Sequence, residues 1–532
     1  MNRLSANLFK QSMLTAMLLA ISACSLTPDY EKPSLSMPAA YKEGSDNLSL
    51  NPSEAGSWKS AQPSEEVARG EWWKVFNDAV LNDLESRAQV ANQNLQAAAA
   101  RLKESRALNQ SARAGLFPTV SAGFGPTRER VSPASQFQSD SGSAAQQTMW
   151  RAQAGISYEV DLFGRVANTV DAASAETERS EALLQSVLLA VQADVAQNYF
   201  ALRELDAEAQ VFADAVDLRE QALKLVRQQY ELGDISDLDV SRAEAELATA
   251  RSDAMTVQRL RAASEHSLAV LLGKSPAEFS LAANPLQPVT LKIPAGLPSS
   301  LLERRPDIAV AERTMAAANA RIGLAKAAFF PSLILTGTGG FESSSLGNLF
   351  QWSSRTFLLG PLVGTALSMP IFDGGARKGN LANARAVYEE GVANYRQQVL
   401  VAFREVEDNL SELRILDQQT KVQSEAVTAS GRASTVARAQ YREGNVVYLN
   451  VLDAQRSVLQ AQRAAVQLQG AQAAATVNLI RALGGGWGDK SAPIVPTLAD
   501  TIDADTATEA RRALESRTTQ GALILLPESA QI

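Results

Sequence analysis

Two kinds of hydrophobic periodicity divide the chain. Leu202, Leu205, Ala209, Phe212, Val216, Leu223, Val226 and Tyr230 follow alternating steps of three and four, broken only at Arg219, the spacing of a coiled-coil seam. Leu413, Leu416, Thr420, Gln423, Val427, Ser434, Ala437 and Tyr441 keep the same register with a more polar filling. Proline is absent from Arg165 to Ser275 and from Ile371 to Ala492, and Gly233 is the only glycine of the first stretch before Gly273. So few breakers over such lengths predict long helices. A helix over 165–231 would be about 100 Å long at ~1.5 Å per residue, a length that suits a periplasm-spanning rod and that no compact domain needs.

The second periodicity is two. From Arg151 to Phe163, Ala152, Ala154, Ile156, Tyr158, Val160 and Leu162 alternate with Arg151, Gln153, Gly155, Ser157, Glu159 and Asp161. This is the lipid-out, water-in pattern of a transmembrane barrel strand, which takes about 9 to 11 residues; the alternative is a half-buried soluble hairpin, which alternates in the same way. Thr119 to Thr127, Ser332 to Phe341 and Leu362 to Phe372 are candidate partners, and Pro118 and Pro331 stop the helices before two of them. Four strands cannot close a barrel in a bilayer, where every backbone group must be paired. Closure therefore needs further copies: two would supply eight strands and three would supply twelve, and a water-filled lumen favours three.

Both patterns occur twice, at an offset of about 211 to 213 residues. Ala112-Arg113-Ala114-Gly115-Leu116-Phe117-Pro118 recurs as Ala325-Lys326-Ala327-Ala328-Phe329-Phe330-Pro331, Gln229-Tyr230-Glu231-Leu232-Gly233-Asp234 as Gln440-Tyr441-Arg442-Glu443-Gly444-Asn445, and Leu271-Leu272-Gly273 as Ala482-Leu483-Gly484. The period is far longer than that of a solenoid and marks duplication of a whole subdomain. The predicted organisation is a leader over 1–23, an anchored equatorial segment over 24–76, a first repeat over 77–275 with strands in about 119–163, a linker over 276–300, a second repeat over 301–486 with strands in about 331–372, and a tail over 487–532. Each repeat is expected to run helix, two strands, very long helix, tight turn and returning helix.

The amino terminus sets the compartment. Arg3 and Lys10 precede the apolar run Met13 to Ile21, too short to span a bilayer, and Ile21-Ser22-Ala23-Cys24 follows. This is the layout of a secretory signal, and small residues before a cysteine resemble a bacterial lipobox. Cys24 is then the expected site of a covalent lipid, and Ser25, not an Asp, points to the outer membrane. Composition narrows the rest. With 50 Lys+Arg against 58 Asp+Glu the chain is acidic, which argues against a nucleic-acid partner. One His and one Cys cannot build a Cys/His metal centre or a disulfide. His266 sits mid-helix with no second ligand, and no nucleophile-and-base constellation appears, so neither an enzyme, a metal nor a soluble cofactor is expected.

The sequence resembles the outer membrane factor family of TolC/OprM-type efflux channels, in particular its NodT-like lipoproteins. The resemblance rests on Cys24-Ser25-Leu26-Thr27-Pro28-Asp29-Tyr30, Trp72-Trp73, Tyr158 to Arg165, Glu303-Arg304-Arg305-Pro306-Asp307-Ile308, Pro370-Ile371-Phe372-Asp373-Gly374-Gly375 and Val451-Leu452-Asp453-Ala454-Gln455. It implies a mostly α fold with a membrane β-barrel contribution: a homotrimer with a twelve-stranded barrel, four strands from each protomer, continued by an α-helical periplasmic tunnel. It further implies a periplasmic membrane fusion adaptor, an inner-membrane RND-type pump and outer membrane lipids as partners. Asp453 would ring the tunnel constriction, with Asn450 where a second acidic ring would stand. The turns Gly233-Asp234 and Gly444-Asn445-Val446, with Tyr230, Asp239 and Tyr441, would form the periplasmic tip that docks the adaptor. Closure would pair Tyr441 with Asp239, and Val446 stands where a basic residue would be. Gly164, Gly374 and Gly375 mark the returns from strand to helix. Two other readings fit the residues: a non-conducting coiled-coil envelope spacer, and the channel of a type I secretion system.

Overall fold

A computed structural model of the chain describes residues 27–34, 41–43, 71–130, 146–288, 304–360 and 366–485. Cys24, the leader over 1–23, residues 289–300 of the linker and the tail over 487–532 lie outside the described residues. Seven helices are labelled α1 (Ala79–Ala91), α2 (Gln93–Ala114), α3 (Arg165–Glu231), α4 (Asp237–Leu271), α5 (Pro306–Ala327), α6 (Ala376–Arg442) and α7 (Tyr448–Ala482). The strands are β1 (Thr119–Arg130), β2 (Gln146–Val160), β3 (Ser332–Ser343), β4 (Arg355–Leu359) and β5 (Leu367–Ser368). The duplication is carried down to element lengths. Helices α2 and α5 have 22 residues each, α3 and α6 have 67, α4 and α7 have 35, and β1 and β3 have 12.

The chain divides into two compact units, each drawing on both repeats. One contains the strands and the helix segments 104–181 and 310–398. Its sheet is antiparallel in the order β1-β2-β3-β4, and β5 also pairs with β3. The fourth strand differs from the expected Leu362 to Phe372. Pairing with β3 is found at Arg355–Leu359 and Leu367–Ser368, and residues 369–373 lie outside the sheet. Pro370 has no N–H to give a ladder, and the run Arg355-Thr356-Phe357-Leu358-Leu359 lacks the strict alternation that would have announced it. The second strand likewise ends before Phe163. The Leu162 N–H bonds back to the Val160 carbonyl, and Gly164 at φ 76° turns the chain into α3.

The other unit holds 36–103, 182–309 and 399–532. Its main core joins Trp72, Trp73, Leu81, Leu84, Tyr199, Phe200, Leu268, Leu272, Val477 and Ile480, so α1, α3, α4 and α7 meet there. The Trp72 indole donates to Gln192 at 3.1 Å. A second cluster joins Leu223, Val226, Val240, Ala243, Leu247, Tyr448, Val451 and Leu452 around the two tight turns. Polar clamps fix the edges. Buried Asp206 accepts from Arg203 at 3.1 Å, Arg261 at 2.6 Å and the Asn284 N–H at 2.9 Å, which ties the linker's first residues to α3 and α4. Arg305 is buried but answered by Asp307 at 2.6 Å, Glu405 at 2.7 Å and the Ala482 carbonyl at 2.9 Å. The Asp307 pair lies within the motif Glu303 to Ile308; the bonds to Glu405 and the Ala482 carbonyl are tertiary facts that no local pattern carries.

Candidate functional site: a two-faced sheet and a paired helical tip

Register shows what the sheet can do. Residues opposite one another share a face, and Arg151 lies opposite Glu342 and Gly125, Gln153 opposite Gly340 and Gly123, Gly155 opposite Thr338 and Ser121, Ser157 opposite Thr336 and Thr119. That face is polar, and toward its far end the Arg151 guanidinium reaches Glu342 at 3.1 Å and Glu129 at 3.6 Å. The other face aligns Ala152 with Phe124 and Phe341, Ile156 with Val120 and Gly337, and Tyr158 with Leu335. Phe357 and Leu359 extend it. A half-buried hairpin would cover such a face. Here Val120, Phe124, Phe357 and Leu359 are 65–81% exposed, and the sheet is open at both edges among the described residues. An uncovered apolar face and unpaired strand edges are surfaces that a bilayer and further strands can cover.

The junction residues sit as the sequence predicts, with Pro118 and Pro331 between helix end and strand start and Gly164, Gly374 and Gly375 at positive φ. The two tips are alike in detail. At Gly233 (φ 80°) the glycine N–H bonds to Tyr230 O and the Asp234 N–H to Gln229 O, and at Gly444 (φ 75°) the same pair runs to Tyr441 O and Gln440 O. This double bond to the helix end is the Schellman cap. Val446 is half-buried in the second turn, and Asp237 and Asp239 complement the N-terminal dipole of α4.

The expected Tyr441–Asp239 pair takes a different form within one chain. The Tyr441 hydroxyl donates to Gln229 Oε1 at 2.6 Å, while Asp239 faces Arg242 at 3.6 Å. Burial, and then the charge of Asp239, raise the Tyr441 pKa, so the hydroxyl stays a donor. Gln229 was available to sequence reasoning as part of the duplicated Gln-Tyr pair. Tyr230, its duplicate partner, is 46% exposed and ends outside the seam. Asn450 and Asp453 are exposed on one face of α7, whose opposite face buries Val451, Leu452 and Gln455. Asp453 is held by Arg456 at 3.4 Å, and Arg456 in turn reaches Glu246 at 3.0 Å. Glu246 also takes Arg219 at 3.5 Å, so the break in the first seam is a buried ion pair.

Two features escaped the sequence reading. Ile415, Val422, Ala429 and Val436 recur every seven residues along α6 and all are exposed; their period was there to be counted. Gly470 in α7 has no room for a side chain because the Glu204 carboxylate of α3 fills that space. Burial, reinforced by Glu208, pushes Glu204 up to about 7. A lone glycine in a helix is the signal for such a close approach. Beyond Cys24, Thr27 donates to Asn168 at 2.6 Å, Asn319 to the Pro28 carbonyl at 2.9 Å, and Lys32 pairs with buried Glu312 at 3.0 Å. The chain just past the expected lipid site is thus tied to α3 and α5.

The outer membrane efflux protein profile matches residues 84–274 and 297–485. The chain belongs to the outer membrane efflux protein family. It is 35% identical over 472 residues to a toluene efflux pump outer membrane protein, TtgC, of Pseudomonas putida, covering 88% of this chain and 93% of that one. It is 32% identical over 473 residues to the cation efflux system protein CusC of Escherichia coli, covering 88% and 97%. The open state of the Neisseria gonorrhoeae MtrE outer membrane channel matches with a TM-score of 0.74 at 29% identity, over 88% of this chain and 100% of that one. The efflux protein's place is the bacterial outer membrane, and its mixed fold of long helices and amphipathic strands is that of these channels.

Proposed function

We propose that three copies of this efflux protein close their sheets into one twelve-stranded barrel, continued by a helical tunnel, and form a passive export conduit. The observation that carries this is the sheet with one polar face, one uncovered apolar face and two open edges. The exposed seven-residue stripe of α6 supports it, since an apolar heptad stripe is covered by another helix and none of the described residues covers it. A spacer has no use for a charged sheet face opposite a lipid-facing one. The relatives named for toluene and for cations differ in cargo at similar identity to this chain. We therefore assign cargo choice to an inner-membrane RND-type pump reached through a periplasmic adaptor that grips the Gly233 and Gly444 turns. Cys24 carries a lipid that anchors each protomer.

In the trimer, Asp453 forms a ring of three carboxylates, and acidic rings favour cations in narrow pores. Asn450 in place of a second ring weakens that preference. The purified trimer in planar bilayers will conduct, and Asp453→Ala will increase current or lower the cation-to-anion permeability ratio by about twofold or more. A verified trimer that passes no current at any voltage would sink the conduit in favour of the spacer.

A further inference from the structure

The junctions between helix and strand carry a pattern that efflux itself does not use. Arg113 precedes Phe117 by four residues, and Pro118 then ends the helix; Lys326, Phe330 and Pro331 repeat the arrangement in the second half. On the returning side Phe372 is followed by Arg377 and Lys378 at the start of α6. Phe117 is 68% and Phe372 89% exposed, while Phe330 is 39% exposed with its ring stacked on Phe163 at 4.7 Å. The junction carboxylates are already engaged. Glu159 pairs with Arg165, Asp373 with Arg377 at 2.6 Å, and Asp161 accepts the Ala167 N–H at 2.7 Å. Arg113, Lys326 and Lys378 make no ion pair among the described residues. Each of these three junctions therefore carries an exposed aromatic and, four to six residues away in the chain, a cation with no internal ion pair among the described residues.

The spacing has a scale. Phe117 and Phe330 stand three residues beyond the ends of α2 and α5, which puts each aromatic at least about 6 Å beyond the cation of the last turn at ~1.5 Å per residue, and the headgroup layer on each side of the hydrocarbon core is about 5–7 Å thick. An aromatic at the edge of the hydrocarbon puts the cation at the depth of the phosphates. A cation in a helix's last turn also answers the helix dipole. That role explains one charge at each of α2 and α5, but neither the open aromatic nor Lys378, which stands at a helix start where the dipole disfavours it.

We infer that this collar is a binding site for anionic phospholipid headgroups, in which Arg113, Lys326 and Lys378 take the phosphates while Phe117, Phe330 and Phe372 rest on the acyl boundary. The inference rests on the sheet spanning the membrane. It is tested on the full-length, lipidated trimer reconstituted in bilayers of equal dioleoyl phosphatidylglycerol and phosphatidylethanolamine, with retained lipids counted by native mass spectrometry and conductance recorded on the same preparation. Wild type should retain phosphatidylglycerol over phosphatidylethanolamine by about threefold or more, and the triple variant R113Q/K326Q/K378Q should retain both equally while conducting as before. Equal retention by wild type, or a preference that survives in the triple variant, overturns the collar. Loss of conductance in wild type with the preference intact would instead count against the barrel. Should the triple variant fail to trimerise, wild type carries the test through salt: the preference must fall between about 0.05 and 0.5 M NaCl, and a salt-independent preference overturns it.

Discussion

Helices α3 and α6 are duplicates of equal length, yet their distal halves differ: α6 buries Tyr395, Val399, Ala402, Val406 and Leu416, but beyond Leu416 none of its hydrophobic residues is buried. Phe212, Leu223 and Val226 of α3 are buried, and the helix contributes to both the main core and the tip cluster. The corresponding seam positions of α6 are Gln423, Ser434 and Ala437, and α6 supplies only Tyr441, half-buried, to the tip cluster. Across to its returning helix, Gln423 donates to the Ala461 carbonyl at 2.9 Å, whereas α3 and α4 are cross-linked by Arg227–Glu244 and Arg251–Glu220 at 2.6 Å each and by Arg219–Glu246. Duplication supplied two equal hairpins, and divergence kept the distal half of α3 packed while the distal half of α6 lost its buried apolar seam and carries an exposed apolar stripe. In the trimer proposed above such an asymmetry has a use: one hairpin holds the protomer together and the other is left to be covered.

The sharpest way to break this comparison is to empty the first seam and its counterpart in turn. Phe212→Ala removes a fully packed ring that also carries the Arg463 guanidinium 5.7 Å above it, and should cost about 3–5 kcal/mol of stability. Gln423→Ala removes one hydrogen bond from a half-buried position and should cost about 1 kcal/mol. Thermal melting of both variants checks the ratio; equal losses would mean that the seams are equivalent.

A smaller effect separates the same helices by pH. Glu204 of α3 lies in the notch left by Gly470, while the matching position of α6 is Ile415, exposed. Glu204 has a folded pKa raised to about 7, by burial first and Glu208 second. Below its unfolded pKa of about 4.3 the carboxyl is protonated in both states. As pH rises from there towards about 7 the unfolded chain ionises first, so the stability that the neutral form provides is lost across that window. Glu204→Gln should therefore melt higher than wild type at pH 8, by roughly 2 °C since the group is partly solvated, and no higher at pH 4. A gain at both pH values would assign the effect to something other than ionisation.

Much of this was readable in the chain itself. Missing prolines and the three-four seam predict α3 to its end residues, because a long helix leaves an uninterrupted trace, and the duplicated glycines mark both caps because only a left-handed residue closes a Schellman turn. What could not be read is tertiary. The β4 pairing depends on which stretch reaches β3, Arg305 on partners a hundred residues and more away, and Glu204 on a glycine in another helix. The membrane strands stayed ambiguous for a physical reason: alternation is the same whether lipid or a protein core covers the apolar face, and only the uncovered face of the folded sheet separates the two.

The finest distinction between the repeats lies in a single hydroxyl. Tyr230 and Tyr441 stand one residue after equivalent glutamines, but Tyr441 donates to Gln229 and stacks obliquely on Tyr448 with ring centroids 5.5 Å apart, while Tyr230 is exposed. Tyr441→Phe should lower the stability of the tip by about 0.5–1.5 kcal/mol, read as faster amide exchange around Gly444, and Tyr230→Phe should change nothing. Gln229→Ala should reproduce the Tyr441→Phe effect, and the double variant should add little to either, since both remove one bond. If the two losses sum, the two groups act independently and the hydroxyl has another partner, with Asp239 the first to examine.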